Sequence, residues 1–150
     1  MEGYRYRTRL RVRYYECDPQ KIVFNANYLA YIDVAVGDYF REGLKLDLGQ
    51  LEKDGIFDYV LKSVYLDYKK PATMYDWLNI WCRTAKVGNT SMVMEFTITR
   101  DGDPDILLEA KITYVNFDPH SKKSKPIPDF IRQTIEEFER GGSVVSSGDK

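Results

Sequence analysis

From Tyr4 to Tyr14 the chain alternates strictly. Tyr4, Tyr6, Thr8, Leu10, Val12 and Tyr14 fall on one side; Arg5, Arg7, Arg9, Arg11 and Arg13 fall on the other. A period of two marks a strand with one packed face and one wet face. The pattern ends at Glu16-Cys17-Asp18-Pro19, where proline stops the ladder and keeps Asp18 extended. After Ile22-Val23-Phe24, both Asn25 and Asn27 are candidate N-caps for a long helix. That helix is expected to run to about Glu42 and stop at Gly43. Its apolar positions (Tyr28, Leu29, Tyr31, Ile32, Val34, Ala35, Val36, Tyr39 and Phe40) leave only a narrow polar edge at Asp33, Gly37, Asp38 and Arg41. Such a helix is buried on most sides, as when a sheet curls around it.

A short helix is predicted around Asp47 to Lys53. Four strands then follow at about Tyr59–Tyr68, Trp77–Val87, Ser91–Arg100 and Ile106–Phe117. Gly88-Asn89 and Asp101-Gly102-Asp103-Pro104 read as hairpin turns, which makes these strands antiparallel neighbours. A last helix, about Asp129 to Arg140, carries Ile131, Ile135 and Phe138 on one face. The expected architecture is α+β: an antiparallel five-stranded sheet and one long central helix within residues 1–140. The small polar tail, 141–150, is expected to be disordered. One sheet on one helix leaves a face or edge uncovered, so a homodimer or homotetramer is expected.

The 150 residues suit one domain. A net charge of −1 does not advertise a nucleic-acid or membrane-surface partner. No apolar run is long enough to span a bilayer, and the first residues carry no apolar leader core. The only cysteines, Cys17 and Cys82, suggest a reducing, cytoplasmic setting rather than a disulfide framework. His120 is the single histidine, so a Ser-His-Asp mechanism and most zinc sites would have to use it. Neither a metal nor a cofactor is expected.

The stretch Tyr15 to Leu29, with Asp18, Val23, Asn25, Tyr28 and Leu29 in register, resembles the signature of the 4-hydroxybenzoyl-CoA thioesterase family. The resemblance continues through Val64 to Ala72, through the Val87-Gly88-Asn89-Thr90-Ser91 turn, and through Phe117-Asp118 with Pro126-Ile127-Pro128. It departs at Lys21, where the family often has glycine, and at Asp33 and Val36, where many members carry Glu and a basic residue. Some members have His where Asn25 stands. The resemblance implies a hotdog fold and hydrolysis of an acyl-CoA thioester, with an acyl pocket at a subunit interface.

Three needs follow for such chemistry. Asp18 can attack the thioester carbonyl or deprotonate a water, and the sequence leaves both routes open. The resemblance places an oxyanion donor at the helix start near Asn25, where N–H groups are unpaired. Val23, Phe24 and Ser91 are candidate substrate contacts, with Tyr28 and Tyr31 as aromatic walls. Arg83, Lys86, Lys122, Lys123 and Lys125 are candidates for the coenzyme A phosphates. The plainer readings are that Asp18 is a turn residue, that Asn25 is only a helix cap, and that the arginine stripe is a solvated face. Competing functions are a non-catalytic acyl-CoA or acyl-carrier-protein binding module and a polyanion binder. A hotdog dehydratase is disfavoured because the central helix has no histidine.

Overall fold

The alternation becomes strand β1, Tyr6–Arg11, with Tyr6, Thr8 and Leu10 buried. In this computed structural model, residues 1–148 are described. A short 3-10 turn at Tyr14–Glu16 leads into helix α1, Asn27–Asp38, which continues as a π turn over Tyr39–Gly43. Then come α2 (Leu48–Lys53), β2 (Tyr59–Tyr68), β3 (Trp77–Val87), β4 (Ser91–Arg100) and β5 (Ile106–Asp118). The two-residue β6 (Lys123–Ser124), α3 (Asp129–Glu139) and β7 (Val145–Gly148) complete the chain. The sheet order is β2-β5-β4-β3-β1-β7, with β6 attached to β5.

The five expected strands are all present and pair antiparallel. Two more join them. Residues 145–148 are not a disordered tail: they run parallel to β1, with Tyr6 opposite Val145 and Arg9 opposite Gly148. The reason is non-local. The outer edge of β1 presents unpaired backbone groups, and a strand that covers them removes that cost. Val145 N–H donates to the Arg5 carbonyl at 2.7 Å, and the Tyr6 hydroxyl bonds the Ser147 hydroxyl. Gly148 is required here, since its φ is +85° and a Cβ would sit 2.5 Å from the Arg9 carbonyl oxygen. Residues 149 and 150 of the tail lie outside the described residues.

Helix α1 lies against the inner face of the sheet. Ile32, Ala35, Val36, Tyr39 and Phe40 are buried among Leu78, Ile80, Met92, Met94, Phe96 and Ile98. Burying each large apolar side chain contributes roughly 1.5–3 kcal/mol. Neither predicted asparagine caps the helix: the N-cap is Ala26, and no side chain bonds there. Asn27 instead donates through Nδ2 to the Glu16 carbonyl at 2.7 Å, and its own N–H reaches Phe24 O at 2.9 Å. The chain enters the helix through a turn, so the cap geometry is lost.

On the outer face, the β1 arginines do not simply face solvent. Arg9 lies 4.1 Å from the Trp77 ring centre, Arg7 5.5 Å from Trp81 and Arg11 5.4 Å from Tyr75. Each such stack is worth about 0.5–1 kcal/mol at an exposed site. At the opposite edge of the sheet, β2 pairs only with β5 among the described residues. It exposes Val60, Leu61, Val64, Tyr65 and Tyr68.

Candidate active site

The segment before α1 is a miniature hairpin. Cys17 bridges Val23 and Ile22 bridges Thr73. Asp18 N–H donates to Ile22 O at 2.9 Å, and Lys21 N–H returns to Asp18 O at 2.9 Å. The turn requires a left-handed residue, and Lys21 adopts φ +65°. That explains why a glycine suits this position. The half-buried Asp18 carboxylate accepts through Oδ1 from Gln20 N–H at 2.8 Å.

Glu16 fastens this hairpin to the helix. Its carboxylate accepts from Arg13 N–H at 2.8 Å and from the Tyr31 hydroxyl at 2.9 Å. Its carbonyl accepts from Phe24 N–H at 3.0 Å and from Asn27. Burial, and then the bond to this carboxylate, hold the Tyr31 phenol well above its ordinary range. Tyr31 is therefore a buried strut and does not line an open wall. Glu16 was not among the sequence candidates. Its signal was weak: a glutamate three residues after Arg13, closing a capping box on a single turn.

A groove of about 450 Å³ opens beside the hairpin, walled by Ile22, Val23, Asn25, Tyr28, Tyr68 and the Lys69-Lys70-Pro71 turn. The structure thus brings Val23, Asn25 and Tyr28 together, with Asp18 across one rung from Ile22. Tyr28 accepts at its hydroxyl from Ala72 N–H at 2.9 Å, and burial raises its phenol pKa. Its ring meets Tyr68 edge-on, centres 5.6 Å apart. The Tyr68 hydroxyl donates to Asn25 O at 3.1 Å. The N–H groups of Asn25 and Ala26 have no acceptor among the described residues. Phe24 is exposed and stands outside the groove. A larger cleft, about 600 Å³, lies at the far end of the central helix against Gly37, Arg41 and Lys45, away from all of these residues.

The other candidates lie elsewhere in the chain. Ser91 opposes Val115 on β5, whereas the groove end of β2, Tyr68, opposes Leu108. Seven residues of strand separate the two ends by about 23 Å. Lys123 pairs with Asp118 at that same distant end, and Lys125 Nζ donates to Gly55 O at 2.7 Å. Lys122 sits in the loop before β6 with φ +57°. Arg83 is engaged on the outer face, bound to Glu95 and to Gly3 O at 2.9 Å each. Lys86 borders a cleft between β3 and α3. Within one chain, none of these cations reaches the groove.

A family model described as the thioesterase-like superfamily matches residues 12–135, from just after β1 into α3. The chain belongs to that superfamily. Among thioesterase-like relatives, the long-chain acyl-CoA thioesterase FadM of Escherichia coli K12 is 24% identical over 131 residues. That match covers 87% of this chain and 97% of FadM. The acyl-CoA thioester hydrolase YbgC of Escherichia coli O157:H7 is 25% identical, covering 84% of this chain and 92% of YbgC. Among solved structures, a Thermus thermophilus thioesterase complexed with coenzyme A and Zn superposes with TM-score 0.78 at 27% identity. It covers 95% of this chain and 100% of its own. A 1,4-dihydroxy-2-naphthoyl-CoA thioesterase from Synechocystis gives TM-score 0.80 over 87% of this chain and 95% of its own. At 18% identity that likeness concerns the hotdog fold alone. The resemblance thus holds at the level of the thioesterase-like superfamily, and the hotdog fold it implied is the one observed.

Proposed function

We propose that this thioesterase-like chain hydrolyses an acyl- or aroyl-coenzyme A thioester to the free acid and coenzyme A. One observation carries the site assignment: two unpaired backbone N–H groups, at Asn25 and Ala26, sit beside an aromatic-walled groove one hairpin rung from Asp18. Those N–H groups would receive the thioester oxygen as it becomes negative, at roughly 3–4 kcal/mol per preorganised donor. Asp18 keeps Oδ1 on Gln20 N–H, which leaves Oδ2 for the chemistry. It either attacks the carbonyl carbon to give an anhydride that water opens, or takes a proton from the attacking water. The coenzyme leaves as thiolate, a good leaving group that needs no histidine acid. The relatives named as acyl-CoA thioesterases support the substrate class.

The same reading includes a homodimer formed through β2. That strand is a ten-residue edge with exposed apolar side chains. A two-fold axis at its middle would set Tyr68 of one copy beside Tyr59 of the other. Tyr59 opposes Asn116, near Lys123 and Lys125. A second copy would thereby carry cations towards the groove, where coenzyme A phosphates need them. Two free thiols among the described residues fit a cytoplasmic location.

The test is thiol release from a panel of acyl-CoAs varying in chain length and aromaticity, with native protein and Asp18→Asn compared. Turnover by the native chain, lost in an Asp18→Asn protein that still folds, supports the reading. Binding without thiol release by native protein makes it an acyl-CoA binding module instead.

A further inference from the structure

We propose that Tyr68 is a positioning residue that tunes the Ala26 oxyanion donor from the edge strand; this rests on the thioesterase reading above. The Tyr68 hydroxyl donates to Asn25 O at 3.1 Å. That oxygen belongs to the peptide whose N–H is carried by Ala26. A hydrogen bond accepted at a peptide carbonyl polarises the whole amide and strengthens its N–H as a donor. The other donor to Asn25 O, the Tyr28 N–H, stands at 3.4 Å, the long limit of such bonds. Tyr68 is therefore the closer of the two partners.

The hydroxyl is aimed rather than free. Tyr68 is half exposed, yet its ring is set edge-on against Tyr28, and Tyr28 is fixed by Ala72 N–H. The strand end is held from the other side as well: Lys69 bonds Asp67 at 2.8 Å, and Lys70 bonds Asp105. The contact joins residues 43 positions apart, so the end of β2 sets the donor strength of a distant loop.

Tyr68→Phe keeps the ring and removes only the donor. In the full chain, kcat is expected to fall about fivefold, the effect of one ordinary hydrogen bond, with KM within about twofold. The 15N resonance of Ala26 is expected to move upfield, whether or not substrate is present. Unchanged kcat with an unmoved Ala26 resonance overturns the proposal and leaves thioester hydrolysis intact. A raised KM at unchanged kcat makes Tyr68 a groove wall only and overturns it too. If native protein releases thiol from no acyl-CoA, the thioesterase reading fails and this one falls with it.

Discussion

Tyr31 and Glu16 join the central helix to the catalytic-candidate loop through one buried hydrogen bond of 2.9 Å. The carboxylate also holds Arg13 N–H, so both ends of the loop are referred to a residue deep in α1. Tyr31→Phe leaves part of that carboxylate unsatisfied. Stability should fall by about 1–3 kcal/mol, read from urea midpoints. Thioester turnover should fall as well, because the loop carrying Asp18 loosens.

Lys21 bears a conformational cost that glycine would not. At φ +65° an L side chain is strained by roughly 1–2 kcal/mol. Lys21→Gly removes this strain, and the greater freedom of glycine in the unfolded chain offsets part of the gain. A net gain of up to about 1 kcal/mol is expected, with activity unchanged. A loss of stability would mean the lysine side chain holds the turn.

Glu139 gives the fold a pH dependence. Burial raises its carboxyl pKa above the ordinary value, opposed by bonds from the Tyr39 hydroxyl at 2.6 Å and Thr84 N–H at 2.9 Å. A raised pKa means the native state binds the proton more tightly than the unfolded chain. This group's contribution is therefore fully present below its unfolded pKa and is lost as pH rises through the folded one. Urea midpoints measured across that acidic window should contain this decline, and Glu139→Gln should remove it.

The exposed β2 edge predicts the assembly. Val64→Arg together with Leu61→Asp puts charge on the apolar edge. Sedimentation should show a dimer for native protein and a monomer for the variant, with folding retained. Native protein that sediments as a monomer would refute the β2 interface.

The legible parts of the chain were those written in local periodicity. β1 follows from alternating Tyr and Arg, and α1 from an apolar run too wide for one stripe. Ser146 and Ser147 carry no such pattern; they become strand because β1 offers an open edge 139 residues away in sequence. Asn25 and Asn27 read as N-caps and neither is one: Ala26 holds that position, and the Glu16 carbonyl takes the Asn27 amide. Lys122, Lys123 and Lys125 were visible as charge, while the pairing that sets Lys123 opposite Asp118, at the far end of β5, was not. Tyr68 read only as a strand residue, since its partner lies across the fold.

Both tryptophans of the chain, Trp77 and Trp81, lie on β3 beneath guanidinium groups of β1. Intrinsic fluorescence therefore watches the seam between β1 and β3. It is blind to the groove and to the β2 edge, whose only aromatic rings are tyrosines. Emission would stay quiet while a ligand fills the groove, and would change only when the arginines lift from the indoles.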